Sequence, residues 1–269
     1  MRVHGEGEGK TALVTGASAG IGWHLAREFA AHGFDVVLVA RSGEKLEALA
    51  RNVTEHFGVR ALVRPADLLT PGAANDLFED LSRRGIPIEV LVNDAGVMQF
   101  GRFHEMPLGS LLDLVSLNAG ALTAMTRLFV EPMVRGGGGR ILNVASLAAF
   151  QPIPAMALYG ATKAFIVSLS EALVTELRDT GVTVTALCPG YTTTRMLDDI
   201  PGSRDLAARM PRGLILDPAE VAQVGYRACM DGVPVVVPGM SNQILARLIG
   251  VQPRWLLRAL GDFMFRRVV

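Results

Sequence analysis

The sequence predicts an α/β fold: a single domain built on a doubly wound parallel sheet with helices on both faces. Three observations carry this. Short apolar, β-branched runs alternate with amphipathic stretches from end to end, the pattern of strands buried on both faces. A glycine-rich turn lies between the first such run and the stretch that follows it. The chain has 269 residues, half of them hydrophobic, enough for one large core without an internal boundary.

Taken in order, Thr11 to Thr15 reads as a buried strand, followed by the glycine turn and a helix to about His32. Phe34 to Ala40 is the second strand and Glu44 to Phe57 its helix; Val59 to Arg64 is the third strand. The next helix is expected to start near Thr70-Pro71, with the proline in its first turn. Val90 to Val92, ending in Asn93, opens the second half. A long helix is expected from about Ser110 to Val134, stopped by Gly136 to Gly139. Arg140 to Ala145, Val182 to Leu187 and Val233 to Val237 read as strands, with helices over Tyr159 to Asp179 and Pro218 to Met230 between them. The handedness of such crossovers then gives a Rossmann-type arrangement. Residues 1–9 are expected to form a short flexible tail, 10–240 the domain, and 241–269 a basic amphipathic extension of it.

Composition excludes several classes. Lys plus Arg (26) equals Asp plus Glu (26), so the net basic footprint of a nucleic-acid binder is missing. The two cysteines, Cys188 and Cys229, stand in apolar surroundings and lack metal-ligand spacing. Inert buried thiols in a reducing cytoplasm are expected. The first residues do not read as a signal peptide, and no apolar run reaches the roughly 18 residues of a membrane span.

The glycine turn, Thr15-Gly16-Ala17-Ser18-Ala19-Gly20-Ile21-Gly22, places backbone N–H groups at a helix N-terminus, where a pyrophosphate is well received. Gly16, Ser18, Ala19, Gly20, Ile21 and Gly22 are therefore candidate cofactor contacts. The second strand ends in Arg41-Ser42 with no acid to hold a ribose 2′-hydroxyl. A guanidinium and a hydroxyl suit a 2′-phosphate, which favours NADP over NAD; a solvated strand-end arginine is the plain alternative. Asp67-Leu68, after the third strand, stands where a carboxylate can accept from the adenine amino group, or be an ordinary loop acid. Asn93, Ala95 and Gly96 follow the fourth strand at its carboxyl end, where ligands of such sheets bind.

Tyr159 and Lys163 lie one helical turn apart. A tyrosine titrates near pH 10 in water; an ammonium on the same face favours its phenolate. Tyr159 then exchanges a proton with a carbonyl or alcohol oxygen, and Lys163 also reaches the nicotinamide ribose. Ser146 follows a strand directly and can polarise the same oxygen. Asn118, a polar residue in mid-helix, can hold a water that relays protons to Lys163.

With these residues in place, the chain resembles the short-chain dehydrogenase/reductase family from about Lys10 to Gly239. The resemblance rests on TGASAGIG, Asp67, NDAG (93–96), Asn118, Ser146, Tyr159-Gly-Ala-Thr-Lys163 and Pro189-Gly190-Tyr191-Thr192-Thr193-Thr194. It implies that Asn118, Ser146, Tyr159 and Lys163 form a catalytic tetrad. It also implies that Pro189 and Gly190 border the nicotinamide, with Thr192 or Thr194 reaching its carboxamide. Homodimers or homotetramers through the helices of Asn118 and Tyr159 are implied too; Phe165, Leu169 and Leu173 fit that contact or burial on the sheet. Two departures stand out. Asp94 replaces the family's usual asparagine, a change expected to be tolerated. Ala19 stands where many NADP users carry a base, so the 2′-phosphate rests on Arg41 and some NAD use is expected.

The expected activity is NADP(H)-dependent hydride transfer to or from a small-molecule carbonyl or secondary alcohol. Leu147–Phe150, Val97–Phe100 and the stretch Tyr191 to Met210, with Met156, Met196 and Leu197, favour an apolar substrate. The competing reading is a non-catalytic NADP-binding sensor or scaffold on the same fold; retention of all four polar residues argues against it. Ile244 to Val269 interleaves Trp, Phe and Leu with arginines, and Pro253 opens a second helix there. Packing on the chain itself or on a subunit is expected, with peripheral membrane contact through 241–269 as the alternative.

Overall fold

The computed structural model describes residues 5–194, 212–253, 255–259 and 261–262. Seven parallel strands form the sheet: β1 (Thr11–Thr15), β2 (Asp35–Ala40), β3 (Ala61–Pro65), β4 (Val90–Asn93), β5 (Gly139–Val144), β6 (Val182–Leu187) and an edge strand, Val235–Val236. Their spatial order is β3-β2-β1-β4-β5-β6 followed by the edge strand, a Rossmann-like doubly wound sheet. The order reverses between β1 and β4, so a crevice opens at their carboxyl ends, where Thr15 and Asn93 stand.

Helices α1 (Gly20–Ala31), α2 (Gly43–Phe57) and Pro218–Met230 share one core with the sheet, built on Leu25, Phe29, Leu46, Val53 and Val221. On the other side, α3 (Ala73–Arg83), the continuous helix α4 (Leu108–Val115) to α5 (Leu122–Arg135), and α6 (Ala157–Glu176) enclose Leu77, Met125, Phe129 and Ile166. The long helix and α6, 28 and 20 residues long, each contain an 18-residue window of mean hydropathy 1.3. By length and composition both could cross a bilayer, contrary to the sequence reading. Here their apolar faces lie on the sheet.

Several boundaries differ from expectation for local reasons. Pro71 is not in the first turn of α3: Gly72, at φ 87°, caps that helix, and the Ala73 amide closes a turn onto the Thr70 carbonyl. Val59 and Arg60 precede β3, yet the Arg60 carbonyl accepts from Val36 at 2.9 Å, so the ladder starts one residue early. The edge strand keeps only two of five predicted residues, since it has one neighbour. A small parallel pair, Tyr191–Thr192 with Ile215–Leu216, has no local signal because its strands are far apart in sequence. The extension begins as a helix, Met240–Val251, and breaks before Pro253 as expected.

Candidate active site

The nucleotide end is built from β1, α1 and the segment after β4. Gly16 takes φ 70°, and a Cβ there would come within 3.0 Å of the Asp94–Ala95 peptide. A Cβ on Gly22 would sit 2.5 Å from Asp94 Oδ2 and 2.6 Å from the Gly16 carbonyl, so only glycine fits. Helix α1 starts after Ala19 with no side-chain cap and no acid in its first turn. The Gly22 amide faces the Asp94 carboxyl, so the amides of Gly20 and Ile21 are the ones offered to a ligand, and an anionic one is favoured by the dipole. Thr194 lies over Gly20, so the stretch after β6 closes down on this turn. Ser18 and Ile21 are half-buried beside it.

At the end of β2, Arg41 is exposed and makes no ion pair or side-chain hydrogen bond among the described residues. Ser42 occupies the N-cap of α2, yet its hydroxyl does not cap the helix. A guanidinium and a hydroxyl thus stand uncommitted at a second helix N-terminus, the donor set a 2′-phosphate requires. Asp67 is exposed, and its Oδ1 accepts from the Leu69 amide at 3.1 Å. That turn engages one carboxylate oxygen; Leu68 packs into the core below.

The NDAG segment is held from beneath. Thr15 Oγ1 accepts from the amides of Asp94 (3.0 Å) and Ala95 (3.1 Å) and donates to the Val92 carbonyl. Asn93 Nδ2 donates to Thr126 Oγ1 at 3.1 Å and Asn143 Oδ1 at 2.9 Å, and Asn143 Nδ2 donates to Ser170 Oγ. This buried chain ties β4, β5, α5 and α6 together. The Asn93 side chain is turned into it, so toward a cofactor Asn93 offers its main chain. Thr126, Asn143 and Ser170 escaped sequence reasoning, because buried polar residues in strands and helices carry no periodic signal.

Asp94 is the residue that departs from expectation most. Its carboxyl is wedged against Gly16 and Gly22, and burial pushes its pKa up to about 7, opposed by the Lys163 charge and by the Gly22 amide. The raised value means that the folded state holds its proton more tightly than the unfolded chain. Stability from this source is therefore complete below about pH 4 and lost as the pH rises to about 7. Asp94→Asn is expected to remove that loss and raise stability at neutral pH by on the order of 1–2 kcal/mol. Thermal unfolding of both proteins from acid to neutral pH checks this; parallel curves would refute it.

The catalytic candidates meet at the carboxyl ends of β5 and β6. Ser146 directly follows the strand region, where its Oγ accepts from the Ala148 amide at 3.1 Å and caps the 3₁₀ turn Leu147–Phe150. Its hydroxyl is also near enough to the Tyr159 phenol to oppose the rise in the phenol's pKa. Lys163 is buried, with Nζ donating to the Val144 carbonyl at 2.8 Å and lying 5.7 Å from the Tyr159 ring centre. Burial lowers its pKa to about 8 despite the attraction of Asp94. Tyr159 also differs from expectation: burial raises the phenol above its ordinary value, outweighing the opposing effect of the Ser146 hydroxyl, and the Asp94 charge adds to the rise. Lys163 meanwhile bonds the backbone, and the buried phenol keeps its proton.

Asn118 lies in a π-helical turn, Ser116–Ala121, between α4 and α5. Its side chain accepts from Val97 N and donates to Val97 O, both at 2.9 Å, and to Thr162 Oγ1 at 3.3 Å. The amide thereby fixes the loop after Gly96 against α6, and a Cβ on Gly96 would press on it at 3.1 Å. Across the site, Leu147 N donates to the Pro189 carbonyl at 2.9 Å, and Thr192 Oγ1 to the Gly190 carbonyl at 3.1 Å. Asn242, unnoticed in sequence, packs against Gly190 from the helix Met240–Val251.

Beside Tyr159 a shallow, open cleft is lined mainly by Phe103, Met106, Leu111, Leu114, Met156 and Leu158. Gln99 also faces it; its Nε2 donates to the Ser110 carbonyl, and its buried Oε1 has no partner among the described residues. Of the apolar positions expected here, Met156 takes part, whereas Met196, Leu197 and Met210 lie outside the described residues.

Residues 10–204 match the family model for short chain dehydrogenases. The chain belongs to the short-chain dehydrogenase/reductase family. Among relatives of this chain, a very-long-chain 3-oxoacyl-CoA reductase of Anas platyrhynchos is 36% identical over 71% of this chain and 62% of its own length. The chain thus spans less than two thirds of that protein. The 3-oxoacyl-[acyl-carrier-protein] reductase FabG of Aquifex aeolicus is 29% identical over 81% of this chain and 91% of its own. A short-chain dehydrogenase from Sphingobium yanoikuyae, solved in complex with NADPH, superposes with a TM-score of 0.77 at 30% identity, covering 91% and 97% of the two chains. The family's Rossmann-like fold is thereby shared.

Proposed function

We propose that this short-chain dehydrogenase is an NADPH-dependent reductase of 3-oxoacyl thioesters with apolar acyl chains. The observation that carries the reading is the convergence of a buried phenol, a serine hydroxyl and a lysine on one point beside an apolar cleft. The free Arg41 and Ser42 support NADP as the nucleotide, as does the NADPH complex of the Sphingobium relative. The acyl substrate is drawn from the names of the Anas and Aquifex relatives and from the Phe103–Leu158 lining.

The nicotinamide, when bound, supplies the hydride. The chain's own residues do the rest. Ser146 donates a hydrogen bond to the carbonyl oxygen while Tyr159 passes its phenolic proton to the same atom. Lys163, with protons to spare beyond the one given to Val144, holds the ribose and offsets the charge left on Tyr159. Asn118 keeps the Val97 loop in register with α6, which preserves the cleft's shape. The α1 N-terminus and the main chain of 93–96 receive the pyrophosphate and neighbouring ribose, with Asp67 at the adenine; Pro189, Gly190, Thr192 and Thr194 flank the nicotinamide. Self-association belongs to the same reading, through the exposed Leu108, Leu112 and Phe165. The free buried thiols Cys188 and Cys229 suit a cytoplasmic setting.

NADPH consumption with 3-oxoacyl thioesters of increasing chain length tests the substrate class. kcat/KM is expected to rise about four-fold per added methylene until the cleft is filled. Equal rates for short and long chains, or preference for a polar ketose, would contradict it.

A further inference from the structure

The helix Met240–Val251 holds its apolar residues in an unusual way. Asn242 and Ile249 face inward, Asn242 against Gly190 and its Nδ2 donating to the Pro238 carbonyl at 3.2 Å. On the opposite side Met240, Ile244, Leu248 and Val251 are 77%, 53%, 54% and 76% exposed. At about 100° per residue they share an arc of about 80°. Trp255, just past the Pro253 break, is 64% exposed. The expectation that this segment packs on its own chain therefore holds for one face only, Ile249 and Leu257, and leaves an apolar stripe in water.

Charge says what covers it. From Met240 to Val269 the chain has five arginines (Arg247, Arg254, Arg258, Arg266, Arg267), one aspartate and no glutamate. The segment is +4 within a chain of zero net charge, so the remaining residues carry −4. Arg247 borders the stripe, and Arg258 is exposed after the break. A second copy of this chain would have to bring the same cationic face up to its own. An anionic lipid surface accepts both the apolar stripe and the arginines, which a neutral partner surface does not.

We infer that the extension lies on an anionic membrane surface, Met240, Ile244, Leu248, Val251 and Trp255 entering the interface and Arg247 and Arg258 meeting the headgroups. Its inner face is fixed to Gly190 and, through Gly261, to Pro154, whose neighbours Ala155 and Met156 line the cleft. Docking therefore brings the site close to the lipid boundary, where apolar substrates are concentrated.

Flotation of the full chain with phosphatidylcholine vesicles, with and without phosphatidylglycerol, tests this beside Ile244→Asp/Leu248→Asp. Both substituted positions are solvent-exposed, so the variant should fold, and NADPH binding and thermal unfolding verify that. The wild type is expected to float with anionic vesicles at least about ten-fold better than with neutral ones, since each arginine contributes about five-fold. The folded double variant is expected to lose about as much again. No flotation, or flotation unaffected by the substitutions, would overturn the inference. So would a wild-type oligomer that the variant dissociates while neither protein binds vesicles, because the stripe would then belong to a second copy.

Discussion

Tyr159→Phe is expected to lower kcat for carbonyl reduction by about 10²–10⁴-fold, with NADPH affinity changed little. The phenol is held as the acid by burial and lies against Ser146, while the bond of Lys163 to Val144 does not depend on it. Phe keeps the ring in its pocket with Leu114 and Ala148 and removes only the O–H. Steady-state kinetics and nucleotide titration on the same sample separate the proton from the fold. Near-wild-type turnover would assign the proton to another group; lost nucleotide binding would make Tyr159 a structural residue.

The second large effect is expected at Arg41. In Arg41→Asp a repelling carboxylate replaces a free guanidinium at the end of β2, next to the uncommitted Ser42. NADPH binding should weaken by about 100-fold, the worth of roughly two charge-assisted hydrogen bonds. NADH should bind more tightly than before, because the new carboxylate accepts from the ribose 2′-hydroxyl. The ratio of the two dissociation constants reads the effect without a substrate. A ratio unchanged by the substitution would mean that Arg41 is only a solvated strand end.

The sheet was legible because buried parallel strands leave short β-branched runs, and β1, β6 and the helix Pro218–Met230 fall where those runs and caps place them. The site was legible in outline because its residues sit at strand ends and on one helical face. What stayed hidden depends on three-dimensional neighbours. The wedge of Asp94 between Gly16 and Gly22 is invisible in NDAG, as is the Asn93–Asn143–Ser170 chain that supports it. Spacing puts Lys163 beside Tyr159 but cannot reveal the burial that raises the phenol, nor the Val144 carbonyl that Lys163 bonds. Likewise, the amphipathic extension announces an apolar face without saying that Asn242, a polar residue, is on the side turned inward.

The central claim, that this chain is an NADP-linked hydride-transfer enzyme, meets its most direct test in one titration. Purified wild-type protein is mixed with NADPH and, separately, NADH, and nicotinamide fluorescence is followed to saturation. Saturable binding of both, with NADPH the tighter, is the predicted result. A folded protein that binds neither nucleotide would contradict the account at its foundation.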